Sequence, residues 1–369
     1  MNIINIKDKN LFYIGGVVRD EILGRKSFDI DITYVGNAIE FCRKIDSVEV
    51  IQENPDFGTV RVNIGGKEVD FASTRSESYP HKGHLPVVEK IGCSLKEDVL
   101  RRDFTVNALA KNTLTGEIVD YTGGLEDLKN KKLRVLHDKS FIDDPTRIIR
   151  GLKFSVRFGF DLEEHTRKLQ EEYLANINYD MSYKRVKKEL VETFNLNSQL
   201  AFEKFINEGI YKLVTESDVK LPNVNIENLV KDYLAAQLLS RSAAIWLVYV
   251  GVLKDLSRLP LTKIEQKILD DVPRTKLETD FELYKAFENA KIETVLLYAI
   301  LVDEIGARRY LDFLRNIKIS VTGKDLQQLG LKPSPKYQEI FDAVLKAKLQ
   351  KPDMSHQDEF DMAKLFSCL

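Results

Sequence analysis

Apolar positions in the first third of the chain recur with period two, the spacing of half-buried strands. "LFYIGG" from Leu11 reads as a strand running into a glycine turn, and "FDIDITYV" from Phe28 to Val35 alternates apolar and polar positions. "GTVRVNIGGKEVDFAS" reads as two alternating runs around Gly65 and Gly66, which predicts a hairpin. Between these runs, "VVRDEILG" and "AIEFCRKI" carry helical spacing. After about Phe141 the strands nearly stop. "DPTRIIRGLKFSVRFG", "HTRKLQEEYLAN", "YKRVKKELVETF", "LAFEKFINEGI" and most of the chain beyond them repeat every three to four residues. The pattern predicts an α+β head followed by an all-α remainder. The stretch from Arg75 to Glu97, rich in His, Pro, Gly and charges, reads as a long loop, and the polar residues after Pro352 read as loosely held. The apolar run Ala243 to Leu253 is too short to span a bilayer and reads as a buried helix with Trp246 as core filler.

Composition narrows this picture. With 369 residues, 43% of them hydrophobic, the chain can fill two or more packed domains. Its net charge is −2 and its pI about 6.3, so a phosphate-bearing partner must meet a local basic patch. Cys42, Cys93 and Cys368 are scattered without zinc or redox spacing, which fits a reducing compartment. "MNIINIKDKN" lacks the apolar core of a signal peptide, so the expected location is the cytoplasm, with no membrane partner.

The chemistry starts in "IGGVVRDEILGRKSFDIDI", Ile14 to Ile32. On a strand, residues i and i+2 share a face, so Asp29 and Asp31 project together about 6–7 Å apart. Paired carboxylates repel unless a cation lies between them, and Mg²⁺ is the usual solution. "EVDFA" offers Asp70 as a third carboxylate, and such a set can hold two Mg²⁺ ions for in-line nucleotidyl transfer. The alternative is a pair of solvated aspartates on an edge strand. Gly15 and Gly16 stand where a strand gives way to a helix, a place where backbone N–H groups approach anions. Arg19 follows in the first turn, suited to a triphosphate oxygen or, alternatively, to pairing with Asp20 or Glu21.

Four motifs occur in order: "IGGVVRDEILGRKSFDIDI", "EVDFASTRSESY", "RRDFTVNALA" and "DDPTRIIRGLKF". Over roughly residues 11–160 this series resembles the class II tRNA nucleotidyltransferases, the CCA-adding, CC-adding and A-adding enzymes and bacterial poly(A) polymerases. The resemblance implies a DNA polymerase β-type catalytic head over 1–138, a nucleobase-reading neck over 139–210, a body over 211–320 and a tRNA-binding tail over 321–369. It implies CTP and ATP as substrates, tRNA as partner and Mg²⁺ as cofactor. By position, Asp29 and Asp31 match the metal ligands, and Gly16 and Arg19 the triphosphate contacts. Arg102 matches a nucleotide contact, with Asp103 and Asn107 shaping the site and sugar contacts. Asp144 and Arg147 match the pair that reads the incoming base, and Arg150 a further nucleotide contact. Lys153 stands where bacterial members usually carry arginine, so it keeps the charge but loses the fork, and Asp143 replaces a frequent glutamate.

The chemistry of Asp144 and Arg147 supports a base-reading role independently. Cytosine and adenine each present an amino donor beside a ring-nitrogen acceptor. A carboxylate accepts from the first and a guanidinium donates to the second. Uracil and guanine reverse both groups, leaving unpaired partners at about 1–3 kcal/mol each. The competing reading is a helix start, with Asp144 as N-cap, Pro145 at N1, and Arg147, Arg150 and Lys153 as a solvated face.

Other segments separate the rivals. In the family, a mobile loop in the region of Arg75 to Glu97 helps switch from C to A addition, and CC-only members tend to shorten it. His137-Asp138 lacks the further His and Asp residues that an HD phosphohydrolase site needs. "YKRVKKEL" (Tyr183 to Leu190) presents a basic face for tRNA phosphates or for solvent. In "TGKDLQQLGLKPSPKYQEIF", Lys324, Lys332 and Lys336 can grip tRNA or simply flank a turn. Three alternatives to CCA addition remain: A-only addition, poly(A) synthesis, and a non-catalytic RNA-binding protein.

Overall fold

The computed structural model describes residues 6–27, 30–240 and 242–367. Asp29, Phe28 and Cys368, which bear on the expectations above, lie outside the described residues. By its contacts the chain divides into two compact units. One holds the described residues up to 193 together with 200–216 and 257–259. The other holds 194–199, 217–256 and 260 onward.

The first unit opens with β1 (Leu11–Ile14), α1 (Gly16–Ile22), β2 (Asp31–Tyr34), α2 (Ala38–Arg43), β3 (Glu49–Asn54), β4 (Thr59–Ile64) and β5 (Lys67–Ser73). Next come β6 (Arg75–Ser78), β7 (Val87–Ile91), α3 (Leu95–Leu100), β8 (Ala110–Asn112), β9 (Ile118–Val119) and α4 (Gly124–Lys129). Seven of these strands form one sheet in the order β3-β4-β5-β2-β1-β8-β9. The predicted hairpin is β4–β5, turning at Gly65 (φ 59°) and Gly66 (φ 81°), the left-handed pair such a two-residue turn requires. Val60, Val62, Val69 and Phe71 point to the buried face, where α2 packs. Period-two alternation therefore leaves Arg61 and Asp70 on the open face.

The stretch from Arg75 to Glu97, expected as a long loop, is mostly an antiparallel hairpin, β6–β7, followed by the start of α3. Its strands are short, and Val87 is left 49% exposed, so its alternation is weak in sequence. Ser94 then starts α3 with a capping box to Glu97.

Helices follow: α5 (Ser140–Asp143), α6 (Thr146–Phe158), α7 (Glu164–Ala175) and α8 (Tyr183–Phe194). In α6, Ile148, Ile149 and Leu152 face the core, and Gly151 leaves room for the Phe104 ring, which an added Cβ would approach to 3.2 Å. The second unit is helical, with Trp246 buried on the helix Ile245–Val250 as expected. The residues after Pro352, expected to be loosely held, form the helix His356–Ser367. Its Glu359 is wholly buried and accepts hydrogen bonds from the backbone N–H groups of Ser320 and Val321, the Ser320 hydroxyl and Lys348 Nζ. Beside this carboxylate, Phe360, Met362 and Ala363 join the apolar cluster of Val321, Leu326, Ile340 and Val344. Among the described residues, no helix is long and apolar enough to cross a membrane.

Candidate active site

Sheet register brings distant carboxylates together. β2 and β5 pair in parallel with Asp31 opposite Asp70, and β4 pairs with β5 with Arg61 opposite Asp70. Arg61, Asp70 and Asp31 thus form one row across three strands, on the open face. Asp70 is held by Arg61 through two parallel bonds, Nε to Oδ1 at 2.7 Å and Nη2 to Oδ2 at 3.0 Å. Both partners are about half exposed, so this pair is worth only about 0–1 kcal/mol and exchanges easily. Carboxylate oxygens on adjacent strands, open to solvent, are the hard donors that a Mg²⁺ ion takes, so the residues present fit such an ion.

The row forms one wall of a cleft of about 500 Å³ that Arg75, Arg101 and Arg102 also line. These arginines are held from behind. Asp98, fully buried, accepts from Arg101 Nε (3.0 Å) and Nη2 (2.8 Å), from Arg102 Nη2 (3.2 Å) and from the Arg75 backbone N–H (3.1 Å). Burial pushes the Asp98 carboxyl up, but Arg102 and Arg101 outweigh it and hold it below the usual range. Glu77 adds bonds to Arg75 Nε (2.7 Å) and Arg101 Nη1 (3.1 Å). The cleft thus brings the carboxylates Asp31 and Asp70 together with Arg61, Arg75, Arg101 and Arg102, an assortment suited to a metal-bearing polyphosphate.

The glycine turn lies beside it. Gly15, with φ 70° and ψ −125°, is the residue in the strained conformation, and it bonds through its N–H to the Leu109 carbonyl at 3.0 Å. A Cβ on Gly15 would come within 3.1 Å of Arg102 Nη1. Gly16 opens α1 with ordinary φ. Arg19 turns inward and is 4% exposed. It donates to Asp20 through Nε (2.9 Å) and Nη2 (2.7 Å) and to Asn107 Oδ1 through Nη1 (2.5 Å), and it stacks 4.3 Å over the Phe158 ring. Of the two readings open in the sequence, pairing with Asp20 is the contact present.

Asn107 passes the network on. Its Nδ2 donates to Asp103 Oδ1 at 3.0 Å, while Asp103 Oδ2 accepts from Arg150 Nε (2.8 Å) and Nη2 (2.6 Å). Burial pushes the Asp103 carboxyl up, yet Arg150 and the Asn107 amide prevail and hold it at about 2. Arg150 and Lys153 both reach Glu189 of α8, at 3.3 and 2.8 Å, and Lys153 also reaches Glu192 at 2.6 Å. A continuous polar chain therefore runs from α1 through the Asp103–Asn107 segment to α6 and α8.

Asp144 and Arg147 stand at the start of α6, both buried. The Arg147 backbone N–H donates to the Asp144 carbonyl at 3.1 Å, but their side chains turn to other partners. Asp144 Oδ1 accepts from the Thr146 backbone N–H (3.2 Å) and hydroxyl (2.6 Å), and Oδ2 accepts from Arg185 of α8. Arg147 donates to Ser140 Oγ (2.7 Å), the Arg101 carbonyl (2.9 Å) and Tyr79 OH (3.3 Å). The capping expectation holds in part: Asp144 does accept from the first turn, but the helix begins at Thr146, one residue beyond the expected Pro145.

Residues 11–134 match the family described as the poly A polymerase head domain. Residues 11–134 are therefore similar to a poly(A) polymerase head. The resemblance carried by the four motifs is borne out. An A-adding tRNA nucleotidyltransferase of Aquifex aeolicus is 45% identical over 163 residues, 43% of this chain and 20% of that one. An A-adding tRNA nucleotidyltransferase of Halalkalibacterium halodurans is 29% identical over 97% of this chain and 88% of its own length. A solved structure of a CCA-adding enzyme in an apo form superposes with TM-score 0.80 at 24% identity, covering 97% of this chain and 92% of that one, which shows the shared fold. The chain spans a fifth of the Aquifex protein's length.

Within residues 11–134, the motifs do not single out Arg61, Arg75, Arg101, Asp98 or Glu77. One signal was available: Asp98 lies three and four residues before Arg101 and Arg102, the spacing at which helical side chains meet. Beyond residue 134, Arg185 and Glu189 were not expected at the site either. They sit in the basic run "YKRVKKEL", whose charge reads as solvent- or phosphate-facing.

Proposed function

We propose that this chain is a template-independent nucleotidyltransferase that completes the 3′ end of tRNA from CTP and ATP. The observation that carries the reading is the register of Asp31 beside Asp70 in a cleft that Arg75, Arg101 and Arg102 also line. In this reading, the arginines bind the triphosphate of the incoming nucleotide, and the carboxylates bind its metal. Asp29 and Asp31 would hold Mg²⁺, with Asp70 adjoining; when bound, the ion would supply Lewis-acid activation of the 3′-hydroxyl and charge neutralisation at the departing pyrophosphate. The 3′-hydroxyl attacks the α-phosphorus, the bond to the β-phosphate breaks, and pyrophosphate leaves. The Gly15–Gly16 turn brings backbone close to the phosphates, and Arg19 and Asn107 hold that turn against the Asp103 segment. Asp144 accepts from the amino group of cytosine or adenine, and Arg147 donates to the ring nitrogen beside it. Arg147 has five N–H donors and spends three on protein partners, which leaves donors for a base. The head, neck, body and tail division and a cytoplasmic location belong to the same proposal.

A second reading, A-only addition, is supported by the names of the Aquifex and Halalkalibacterium relatives. The test uses tRNA transcripts that end before CCA, after C, and after CC, each with CTP, ATP or both. CCA addition predicts extension of all three. A-only addition predicts extension of the CC-ended transcript alone, with ATP alone. A long A tract on unrelated RNA would indicate poly(A) synthesis. No extension of any transcript would overturn the proposal.

A further inference from the structure

Asp144 owes its orientation to a residue on another helix. That residue is Arg185, whose side chain is 25% exposed against 6% for Asp144. One guanidinium arm, Nη2, donates to Asp144 Oδ2, and the other, Nη1, donates to the His84 carbonyl at 3.1 Å. His84 lies at the tip of the β6–β7 hairpin, so one planar group bridges a carboxylate and a carbonyl from separate segments. The tip is fixed on its other side as well. The Gly83 N–H donates to the Asp143 carbonyl (3.0 Å), the Ser182 N–H donates to the Gly83 carbonyl (3.0 Å), and Lys82 Nζ pairs with the Asp143 carboxylate (2.5 Å). An added Cβ on Gly83 would come within 2.9 Å of the Asp180 carbonyl, so the tip sits directly on the chain that leads into α8.

A carboxylate accepts about four hydrogen bonds. At Asp144 three are occupied, two on Oδ1 by Thr146 and one on Oδ2 by Arg185. The direction of the remaining acceptor is therefore set by what grips Oδ2. We propose that Arg185 is a positioning residue for base selection: it fixes the plane of the Asp144 carboxylate so that its open acceptor faces the amino group of the incoming base. The inference rests on the base-reading role given to Asp144 under the proposed function. It reassigns Arg185 from the basic face of "YKRVKKEL" to the nucleotide site. Lysine cannot reproduce it fully, because a single ammonium does not span both acceptors with a rigid fork.

The experiment measures equilibrium binding of ATP, CTP, GTP and UTP to the full chain, to Arg185→Met and to Arg185→Lys, with tRNA extension run in parallel. The expected result is that the preference for ATP over GTP, and for CTP over UTP, falls at least about tenfold in Arg185→Met and is partly restored in Arg185→Lys. In extension, KM for ATP rises more than kcat falls. Equal weakening of all four nucleotides, or undiminished preference in Arg185→Met, would overturn the inference. If Arg185→Met does not fold, Arg185→Lys decides by the same ratios, and full wild-type preference there counts against the fork. A wild-type chain that prefers ATP and CTP but extends no tRNA removes the proposed function and leaves the binding ratios to judge Arg185. A wild-type chain that binds all four alike overturns both Asp144's role and this one.

Discussion

Arg150→Met strips the cation from Asp103 while keeping much of the side chain's length and its apolar contact with the Phe154 ring, over which Arg150 lies at 5.5 Å. Asp103 is 7% exposed, and its carboxyl is held at about 2 against the ordinary 3.8. That difference favours the ionised folded form by about 2 kcal/mol. Removing one partner of a buried ion pair typically costs about 3–5 kcal/mol, because the charge left behind keeps its desolvation penalty. Here the Asn107 amide and the Phe104 N–H still serve Asp103, and the Arg150 side chain is 34% exposed. The expected loss is therefore at the low end, about 2–3 kcal/mol at neutral pH. The sign with pH follows from the depressed carboxyl. Its contribution is complete above the unfolded value of 3.8 and is lost as pH falls through about 2. Urea denaturation followed by circular dichroism at pH 7, 5 and 3 should give a full wild-type-to-variant gap at pH 7 and 5, and roughly half of it at pH 3. The double variant Asp103→Asn/Arg150→Met should lose at least about 1 kcal/mol less than the sum of its parts, since an amide needs no counter-charge. A gap below about 0.5 kcal/mol at pH 7, or one that stays constant down to pH 3, would show that the pair is not held as described.

Asp31→Asn removes the carboxylate proposed to hold the metal, from an exposed strand position. Single-turnover tRNA extension should fall by roughly a thousandfold or more with an unchanged melting temperature, and near-normal extension would rule Asp31 out as a ligand. Gly15→Ala forces a side chain into φ 70° and within 3.1 Å of Arg102 Nη1. A stability loss of about 1–3 kcal/mol and a raised KM for nucleotide are expected, and a variant matching wild type in both would contradict the strained turn. Glu359→Gln keeps the shape of a wholly buried side chain but leaves Lys348 without its anion. Burial pushes the Glu359 carboxyl up, and Lys348 with the Ser320 and Val321 donors pulls it below its ordinary value of 4.5. The loss, about 3 kcal/mol, should be present at neutral pH and fade in acid, and hydrogen exchange in Lys336–Gln350 and His356–Ser367 should speed up; unchanged exchange would refute it.

Local rules made part of this legible. The β4–β5 hairpin follows from alternation around Gly65-Gly66, and the outward direction of Asp70 follows from the same alternation. The buried helix at Trp246 follows from an apolar run. The hidden part is long-range. Nothing near Asp31 announces that β2 takes β5 as its parallel neighbour, so the adjacency of Asp31 and Asp70 depends on sheet order. The β6–β7 hairpin was hidden because short polar strands in a two-stranded ribbon need not alternate clearly. The last helix was hidden because its anchoring is split between a buried carboxylate, Glu359, and a short apolar set, Phe360, Met362 and Ala363, in an otherwise polar stretch.

The arginines separate what sequence names from what it cannot. Arg19, Arg61, Arg102, Arg147, Arg150 and Arg185 share a side chain, yet each charge is spent differently. Arg19 is closed in by Asp20, Asn107 and the Phe158 ring, and burial lowers its affinity for its proton even with Asp20 beside it. Such a group stabilises the glycine turn as it stands. Reaching a triphosphate would require breaking bonds that are short and enclosed. Arg102 meets the Asp98 carboxylate at 3.2 Å, and its buried Nε has no partner while its side chain lines the cleft. An unsatisfied buried donor costs about 1–3 kcal/mol, a cost that Arg102 carries and that Arg19, bonded through Nε and both Nη atoms, does not. For the proposed phosphate contact, then, Arg102, which lines the cleft, is the first candidate, and Arg19 is the residue that holds Asn107 beside the turn.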